Sequence, residues 1–319
     1  MGIACIKHLM NWIGKKFWRN SGVRQLADDI MNKQIYWHTT VKMPDDSSLT
    51  PIPAKVDVAI IGGGYTGLSA ARALAKHGAK VVVLEAQTIG WGASSRNGGM
   101  ALTGLKVGMA TVIKKYGREL AKTLFQYSLD AVGTVEQIIK EENINCGFAR
   151  HGHLLTANKP KHYEALKDEV EFMAREFNHK VRLVPPDELK SEIGSNIYHG
   201  GLLDEVSGGL NPAQFVAGLA GAAEKAGAML CARARVNRLR RGENRFVIET
   251  ERGSLTAETV FVATSGYTGN VTKKLQRKII PIGSFIIATE RLSDELAREL
   301  SPKNRMIFDY KHYLNYFRL

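Results

Sequence analysis

Cysteine is scarce in this 319-residue sequence, which contains only three cysteines. Cys5, Cys146 and Cys231 are far apart, and no two of them form a CxxC pair. This spacing argues against a disulfide framework and against a cysteine-ligated zinc site. A reducing compartment, by default the cytoplasm, is therefore expected.

Long hydrophobic runs are absent as well. No stretch of roughly 18 uncharged apolar residues occurs, so no transmembrane helix is predicted. With 44% hydrophobic residues and no internal repeat, the chain is long enough for one large or two medium globular domains. The 44 Lys and Arg outnumber the 31 Asp and Glu, giving a net charge of +13. Nucleotide phosphates, nucleic acid and acidic lipid are therefore all candidate partners.

Residues Met1 to Arg19 are predicted to form a short basic amphipathic helix. Such a helix is interpreted as a membrane-surface anchor, as a docking helix, or as an extension upstream of a start at Met31. No lipidation motif favours the anchor, because position six is neither Ser nor Thr. The apolar positions at helical spacing are Ile3, Ile6, Met10, Ile13 and Phe17.

A polar linker that contains two prolines, Asp45 to Ala54, leads into a first core strand at Val56 to Ile61. Downstream, strands and helices alternate, which predicts an α/β fold. Helices are predicted at Leu120–Ile138, Pro160–Phe177 and Pro212–Ala226, and extended segments at Phe148–Ala157, Met229–Leu239, Phe246–Thr250 and Thr259–Ala263.

A nucleotide-binding βαβ unit is predicted at Val56 to Glu85. Gly62 permits a tight turn, Gly64 lets a pyrophosphate approach the backbone, and Gly67 allows close packing of helix against strand. The helix N-terminus faces the phosphates. The following strand delivers Glu85 to its carboxyl end, where a carboxylate can accept hydrogen bonds from both ribose hydroxyls.

The choice of dinucleotide depends on a second motif, because FAD, NAD and other ADP-containing ligands share the βαβ unit. Residues Gly92 to Gly99 read GASSRNGG, a run of small residues whose backbone can lie close to a ligand. Arg96 within it can neutralise a phosphate. A flexible surface turn is the alternative interpretation.

The runs GGGYTGLSAA, LEA and IGWGASSRNGG resemble the FAD-dependent amine and amino-acid oxidoreductases of the D-amino-acid oxidase superfamily. Within it, the sequence is most similar to the bacterial γ-glutamylputrescine oxidoreductases. The resemblance extends over Ile35 to Leu319 and includes GGLNP at Gly208–Pro212, VFVATSGYT at Val260–Thr268 and PIGSFIIATERL at Pro281–Leu292.

The resemblance implies a Rossmann-like FAD-binding domain interleaved with an incomplete β-sheet substrate domain. The FAD-binding domain would comprise residues 55–146 and 200–278, the partial substrate domain residues 147–199 and 279–319, and the N-terminal extension and linker residues 1–54. Tyr313 and Tyr316 are candidates for orienting an amine, although both could instead be packed strand residues. The implied FAD-binding residues are Gly62, Gly64, Gly67, Glu85, Ser94, Ser95, Arg96, Asn97, Gly98, Gly99, Val236 (through its backbone to adenine), Thr264, Ser265 and Gly266.

Two other groups of residues have competing interpretations. His151 and His153 could form a metal pair, but no matching acidic or cysteine ligands are apparent, so ordinary strand histidines are favoured. A run of arginines could bind nucleic acid, but its interleaving with a strand and turn favours a solvated hairpin face. These arginines are Arg233, Arg235, Arg238, Arg240, Arg241 and Arg245.

The resemblance implies hydride transfer from an amine carbon to the flavin, followed by hydrolysis of the imine and reoxidation by oxygen or another acceptor. No catalytic residue is assigned from the sequence. An NAD-linked dehydrogenase and a non-catalytic nucleotide-binding fragment remain as alternatives. The fragment is considered because family members are longer, with a further glycine-rich stretch at the flavin. The run from Pro281 would then supply only the opening strands of the second domain, so poor turnover and an unpaired sheet edge at Tyr316 to Leu319 are expected.

Overall fold

The computed structural model describes residues 34–44, 50–311 and 314–319. The predicted N-terminal helix, Met31, Tyr313 and residues 45–49 of the predicted linker lie outside these ranges. Within the ranges, no helix is both long and apolar enough to cross a membrane. In chain order the strands are β1 (Lys55–Ile61), β2 (Val81–Leu84), β3 (Met100–Ala101), β4 (His153–Thr156), β5 (Arg182–Val184), β6 (Gly201–Asp204), β7 (Gly208–Gly209), β8 (Met229–Cys231), β9 (Val236–Arg241), β10 (Phe246–Thr250), β11 (Gly253–Val262), β12 (Met306–Asp309) and β13 (Tyr316–Phe317).

The three predicted helices are confirmed, and two of them begin at a proline, whose fixed φ suits the first helical turn. The helix from Pro160 ends before Asn178, which adopts a left-handed conformation at φ 50°. In the described residues the α-helices are α1 (Tyr65–Lys76), α2 (Met109–Tyr116), α3 (Arg118–Glu141), α4 (Pro160–Phe177), α5 (Pro212–Lys225), α6 (Lys273–Gln276) and α7 (Asp294–Leu300).

The first sheet contains the predicted βαβ unit. Strands β1 and β2 pair in parallel, with α1 between them in the chain. Both strands are largely buried apolar runs, as expected for parallel strands covered on both faces. Helices α1 and α5 pack together, with Leu68 and Ala71 of α1 and Val216 and Leu219 of α5 in one core cluster. The strand order is β8-β2-β1-β11-β10-β9.

The extended segment predicted at Met229 to Leu239 is wrong as a single strand. The chain leaves β8 at Cys231, passes through Arg233 in a left-handed conformation at φ 50°, and enters β9 at Val236. Strands β8 and β9 then lie at opposite edges of the first sheet. The strand predicted at Thr259 is the end of the longer β11, which pairs in parallel with β1.

The arginine-rich segment forms the predicted hairpin. Strands β9 and β10 pair antiparallel, and β10 pairs antiparallel with β11. Arg240 forms an ion pair with Glu249 across the hairpin, and Arg245 Nη2 lies 2.5 Å from Glu258 Oε1. These arginines therefore have carboxylate partners within the sheet that they occupy.

The second sheet has the strand order β13-β12-β4-β6-β5 and a small core of its own. Strand β12 pairs in parallel with β4, and the other neighbouring strands pair antiparallel. Strand β13 is the outermost strand, as the sequence predicts for Tyr316 and its neighbours. Strand β6 pairs with both β4 and β5 in this sheet, and the division expected at residue 200 stays a prediction.

The segment Pro281 to Leu292 does not form the opening strands expected of a second domain. None of the described strands lies between β11 and β12, and this segment has no regular secondary structure and is almost entirely exposed to solvent. Ile282 is 86% exposed and Phe285 is 93% exposed. The segment has the apolar residues typical of a strand, but no strand edge among the described residues pairs with it.

The two histidines near β4 have separate environments. His153 lies within β4, where its Nδ1 is 2.8 Å from Ser207 Oγ and its ring stacks on Phe308. His151 lies before the strand, and its carbonyl accepts a hydrogen bond from Arg305 at 2.5 Å. Across the described residues, no group of three or more His, Cys, Asp or Glu side chains is arranged to hold a metal.

Candidate functional site

The glycine loop after β1 has the close backbone approaches for which glycine is required. Gly62 has φ 113°, and a Cβ there would lie 2.5 Å from the carbonyl oxygen of Ala263. A Cβ on Gly67 would lie only 2.0 Å from the carbonyl oxygen of Gly62. Gly67 therefore allows α1 to pack against the end of β1, and Gly62 allows the turn to pass under the end of β11.

The two sequence motifs meet at Ser94. Its Oγ accepts a hydrogen bond from Tyr65 N, the first residue of α1, at 3.0 Å. A Cβ on Gly64 would lie 2.8 Å from the same oxygen. The GASSRNGG loop is thus placed at the N-terminus of α1, where the helix dipole and free amide groups favour an anion.

Glu85 follows β2 and is fixed by the backbone on both sides. Its N–H donates to the carbonyl of Cys231 at 2.9 Å, and its carbonyl accepts from Ala234 N at 2.8 Å. The carboxylate accepts from Gly63 N at 2.7 Å and from Gln87 N at 2.8 Å. Because each carboxylate oxygen can accept a second hydrogen bond, these contacts leave capacity for ribose hydroxyls.

Asn97 holds the loop from Ser94 to Gly99 in shape. Its side-chain Nδ2 donates to the carbonyls of Ala93 at 3.1 Å and of Ser94 at 3.0 Å, and its Oδ1 accepts from Gly99 N at 2.7 Å. Gly99 has φ 63°, and a Cβ there would lie 2.0 Å from the carbonyl oxygen of Leu210. The loop is therefore internally bonded, which contradicts its alternative interpretation as a flexible surface turn.

Arg96 has an unsatisfied buried donor. Its guanidinium stacks over the ring of Trp91, 4.3 Å from the ring centroid. Its Nε is buried and has no hydrogen-bond partner among the described residues. Buried donors are rarely left unpaired, and an anionic oxygen would satisfy this one. Arg96 therefore fits the phosphate role that the resemblance implies.

The remaining implied FAD residues come from two separate places: Thr264 to Gly266 follow β11, whereas Val236 is the first residue of β9. Thr264 follows β11, next to the carbonyl of Ala263 that faces Gly62, and its hydroxyl lies 2.6 Å from that of Thr268. Ser265 adopts φ 47°. The structure does not bring Ser265 or Gly266 into contact with the glycine loop, and both are exposed. Val236 starts β9 and is buried.

Tyr316 lies beside the GASSRNGG loop. A Cβ on Gly98 would lie 3.2 Å from the Tyr316 ring, and the Tyr316 hydroxyl is 3.3 Å from Ser284 Oγ. Its role in orienting an amine stays a prediction, as does that of Tyr313.

Three further residues contact this loop and were missed from the sequence. Trp37 Nε1 donates to the carbonyl of Asn97 at 2.9 Å. His38 Nε2 lies 2.7 Å from Ser95 Oγ. Arg318 Nη1 donates to the carbonyl of Gly99 at 2.8 Å. No motif marks these residues, because each reaches the loop from a distant part of the chain.

The sequence of this chain matches the model of a known family. A profile described as "DAO: FAD dependent oxidoreductase" matches residues 57–319. The chain belongs to this family. Its cofactor is FAD, so family membership decides the choice between FAD and NAD that the βαβ unit leaves open.

Two bacterial relatives are named as oxidoreductases. The chain is 36% identical over 264 residues to "Gamma-glutamylputrescine oxidoreductase" of Escherichia coli (strain K12), covering 82% of this chain and 62% of the relative. It is 33% identical over 267 residues to "Probable oxidoreductase OrdL" of Haemophilus influenzae, with coverage of 82% and 62%. This chain thus spans less than two thirds of the length of these relatives.

Solved structures share the fold. The chain superposes on L-proline dehydrogenase from P. horikoshii with a TM-score of 0.60 at 19% identity, covering 84% of this chain and 67% of that one. It superposes on glycine oxidase from Geobacillus kaustophilus with a TM-score of 0.57 at 24% identity, covering 70% and 59%. At this identity the likeness supports the α/β fold of the family and no particular substrate.

Proposed function

We propose that this chain binds FAD at the junction of its two glycine-rich motifs and takes part in the oxidation of a C–N bond of an amine. In this proposal the glycine loop at Gly62, Gly64 and Gly67 holds the pyrophosphate, and Glu85 holds the adenosine ribose. Residues Ser94 to Gly99 line the flavin and its phosphates. Val236 and Thr264 to Gly266 complete the cofactor site from the ends of β9 and β11.

The observation that carries the proposal is the position of the second motif. Ser94 Oγ bonds to the first amide of α1, so the loop that carries Arg96 lies at the phosphate-binding end of the βαβ unit. The buried Arg96 Nε without a partner supplies a donor for an anionic group at the same place. A dinucleotide with two phosphates would satisfy both features.

FAD held by these residues would supply the oxidising chemistry: it would take a hydride from the carbon next to the amine nitrogen and pass the two electrons to oxygen or another acceptor, and water would hydrolyse the resulting imine. The chain's own residues bind the cofactor, orient the substrate and shield both from water. Asn97 keeps the loop backbone in one conformation, and Tyr316 borders the loop at Gly98. The Tyr316 hydroxyl can orient the substrate nitrogen by a hydrogen bond.

A γ-glutamylputrescine-like amine is the proposed substrate, because the relative from Escherichia coli that is 36% identical carries that name. A cytoplasmic location and the division into an FAD-binding part and a partial substrate part belong to the same proposal.

A second candidate function is FAD binding without turnover. It is favoured by the exposed segment Pro281 to Leu292. A flavin reacts only with a substrate carbon held roughly 3–3.5 Å away, which requires a closed pocket. This candidate shares the cofactor site and differs only in the reaction.

The experiment separates cofactor binding from turnover. The purified chain is examined for flavin absorbance, mixed with FAD, and assayed for hydrogen peroxide and for dye reduction with γ-glutamylputrescine, sarcosine and several D-amino acids. FAD without chain is the control for the assay. Bound flavin with substrate-dependent reduction supports the proposal, and bound flavin without reduction supports the second candidate. Tight NADH binding without flavin affinity would contradict both.

A further inference from the structure

The 3-10 turn Tyr36–Thr40 lies upstream of the residues that the family profile matches. It nevertheless contacts the loop from Ser94 to Gly99 in the middle of the proposed cofactor site. A segment outside the common family domain therefore contributes directly to the surroundings of this loop.

Trp37 acts on the residue that organises the loop. Its indole N–H donates to the Asn97 carbonyl at 2.9 Å, while the Asn97 side chain bonds to Ala93, Ser94 and Gly99. The hydrogen bond to the Asn97 carbonyl restricts the backbone of Asn97, and the side chain of the same residue makes the other three hydrogen bonds. The Trp37 bond therefore favours one conformation of the whole loop.

His38 contacts the loop at Ser95, two residues before Asn97. Its Nε2 lies 2.7 Å from the hydroxyl of Ser95, which is fully buried. Burial, and then the positive charge of Arg96, lowers the pKa of His38, so its imidazole is neutral near pH 7. A neutral imidazole can donate to or accept from a hydroxyl, and either arrangement satisfies the buried Ser95 Oγ.

The turn is itself anchored to the first core. Thr40 Oγ1 accepts from Asn211 Nδ2 at 2.7 Å, and the Thr40 carbonyl accepts from Gln214 Nε2 at 3.2 Å. Asn211 also caps the N-terminus of α5 through its side-chain oxygen. The turn is thus bonded to a packed helix, which gives it a fixed position from which to hold the loop.

A second element meets the turn from the other side. The Arg318 guanidinium lies over the Trp37 ring, 5.4 Å from its centroid, and donates to the Gly99 carbonyl at 2.8 Å. The loop is therefore held at Ser95, Asn97 and Gly99 by side chains from outside both glycine-rich motifs.

We propose that the turn Tyr36–Thr40 is a positioning element of the cofactor site, in which Trp37 and His38 hold the loop from Ser94 to Gly99 in its FAD-binding conformation before the cofactor arrives. The inference rests on the proposed function for its link to FAD. The conformational part stands on the contacts alone.

The test compares four variants of the full chain. Trp37→Phe removes the indole donor and keeps an aromatic ring, and His38→Ala removes the contact with Ser95. His38→Gln keeps a group that can bond to the Ser95 hydroxyl and should restore the wild-type behaviour. Thr111→Ala is the matched control, because Thr111 is an exposed residue of α2, outside both the turn and the loop.

Two measurements are made on each variant. Hydrogen exchange of the peptide spanning Ala93 to Gly99 is measured without FAD, and the dissociation constant for FAD is measured by fluorescence titration. Losing one hydrogen bond should raise both loop exchange and the dissociation constant about two- to tenfold in Trp37→Phe and His38→Ala. Thr111→Ala and His38→Gln should stay close to wild type. The melting temperature shows that each variant remains folded.

The outcomes distinguish the inference from the proposed function. Loop exchange in Trp37→Phe and His38→Ala equal to that of Thr111→Ala would overturn the positioning role, whatever the affinity for FAD. Weaker FAD binding without faster loop exchange would also overturn it, since these residues would then act on the cofactor directly. A wild-type chain that binds no FAD would contradict the proposed function, while the exchange data would still decide whether the turn holds the loop.

Discussion

Replacing Glu85 by alanine tests the proposed ribose contact. The carboxylate is held 2.7 Å from Gly63 N and 2.8 Å from Gln87 N, next to the glycine loop, and has acceptor capacity left for ribose hydroxyls. Hydrogen bonds to a charged group contribute about 1.5–3 kcal/mol. Glu85→Ala should therefore weaken FAD binding about ten- to hundredfold. Titration of FAD into the purified chain, followed by flavin fluorescence, measures this change.

The same change has a second effect that must be measured separately. Without the carboxylate, Gly63 N and Gln87 N lose their acceptor, so the free energy of unfolding should fall by about 1–3 kcal/mol in urea. The titration is therefore made under conditions in which the variant is fully folded. Glu243→Ala, at an exposed position in the turn of the β9–β10 hairpin, is the control for loss of one negative charge. An unchanged dissociation constant for FAD in folded Glu85→Ala would refute the ribose role.

Three other predictions follow from single features. Gly67→Ala should abolish measurable FAD binding, because its Cβ would lie 2.0 Å from the Gly62 carbonyl oxygen. Gly133→Ala in α3 should leave FAD binding unchanged, because a Cβ there would have no atom within 4 Å. Equal affinities of the two variants for FAD would contradict the close packing at Gly67. Burial lowers the pKa of His153 to about 4. Between pH 6.5 and pH 4 the unfolded chain therefore binds a proton that the folded chain does not. The free energy of unfolding should fall by about 3 kcal/mol over this range. Urea unfolding at several pH values measures this fall, which His153→Asn should largely remove; an equal fall in that variant would exclude His153 as its cause. Deleting Met1 to Met31 should leave the melting temperature nearly unchanged, and a drop of several degrees would show that this segment packs on the core.

The βαβ unit could be predicted in detail because its requirements are local. Gly62, Gly64 and Gly67 each occupy a place where a Cβ would meet a backbone or side-chain atom at less than 3 Å, so the spacing of glycines records the geometry. The helix from Pro160 to Phe177 was predicted with its observed bounds for a similar reason. A proline at its start and Asn178 after its end are local signals that act regardless of the rest of the fold.

The split between β8 and β9 could not be predicted because the deciding interactions are distant. The residues from Met229 to Leu239 have the composition of one strand, and β-propensity mainly describes how well side chains fit a partly buried sheet. In the structure, β8 pairs with β2 and β9 pairs with β10, at opposite edges of the sheet. The left-handed Arg233 turns the chain between them, and arginine carries no signal for that conformation.

The candidate site shows the same division between local and distant information. Ser94, Arg96 and Asn97 could be identified because the GASSRNGG motif specifies a loop of small residues with one cation. Trp37 is separated from its partner Asn97 by 60 residues, and Arg318 is separated from Gly99 by 219 residues. Neither pairing follows from spacing or composition, so the residues that hold the loop became visible only in the folded chain.

The segment from Pro281 to Leu292 shows why a β-like pattern is not sufficient for a strand. Its isoleucines and phenylalanine have the branched and aromatic side chains that favour sheets, and the sequence predicts strands there. A strand is stabilised only when a neighbouring edge accepts its backbone hydrogen bonds and a face covers its apolar side chains. Among the described residues no edge pairs with this segment, and Ile282 and Phe285 stay almost fully exposed. Contiguous exposed apolar residues of this kind mark a surface that favours association with another surface. The Tyr316 hydroxyl contacts Ser284 of this segment, so self-association through the segment would change the surroundings of Tyr316. Turnover assays of this chain should therefore be accompanied by a measurement of its oligomeric state.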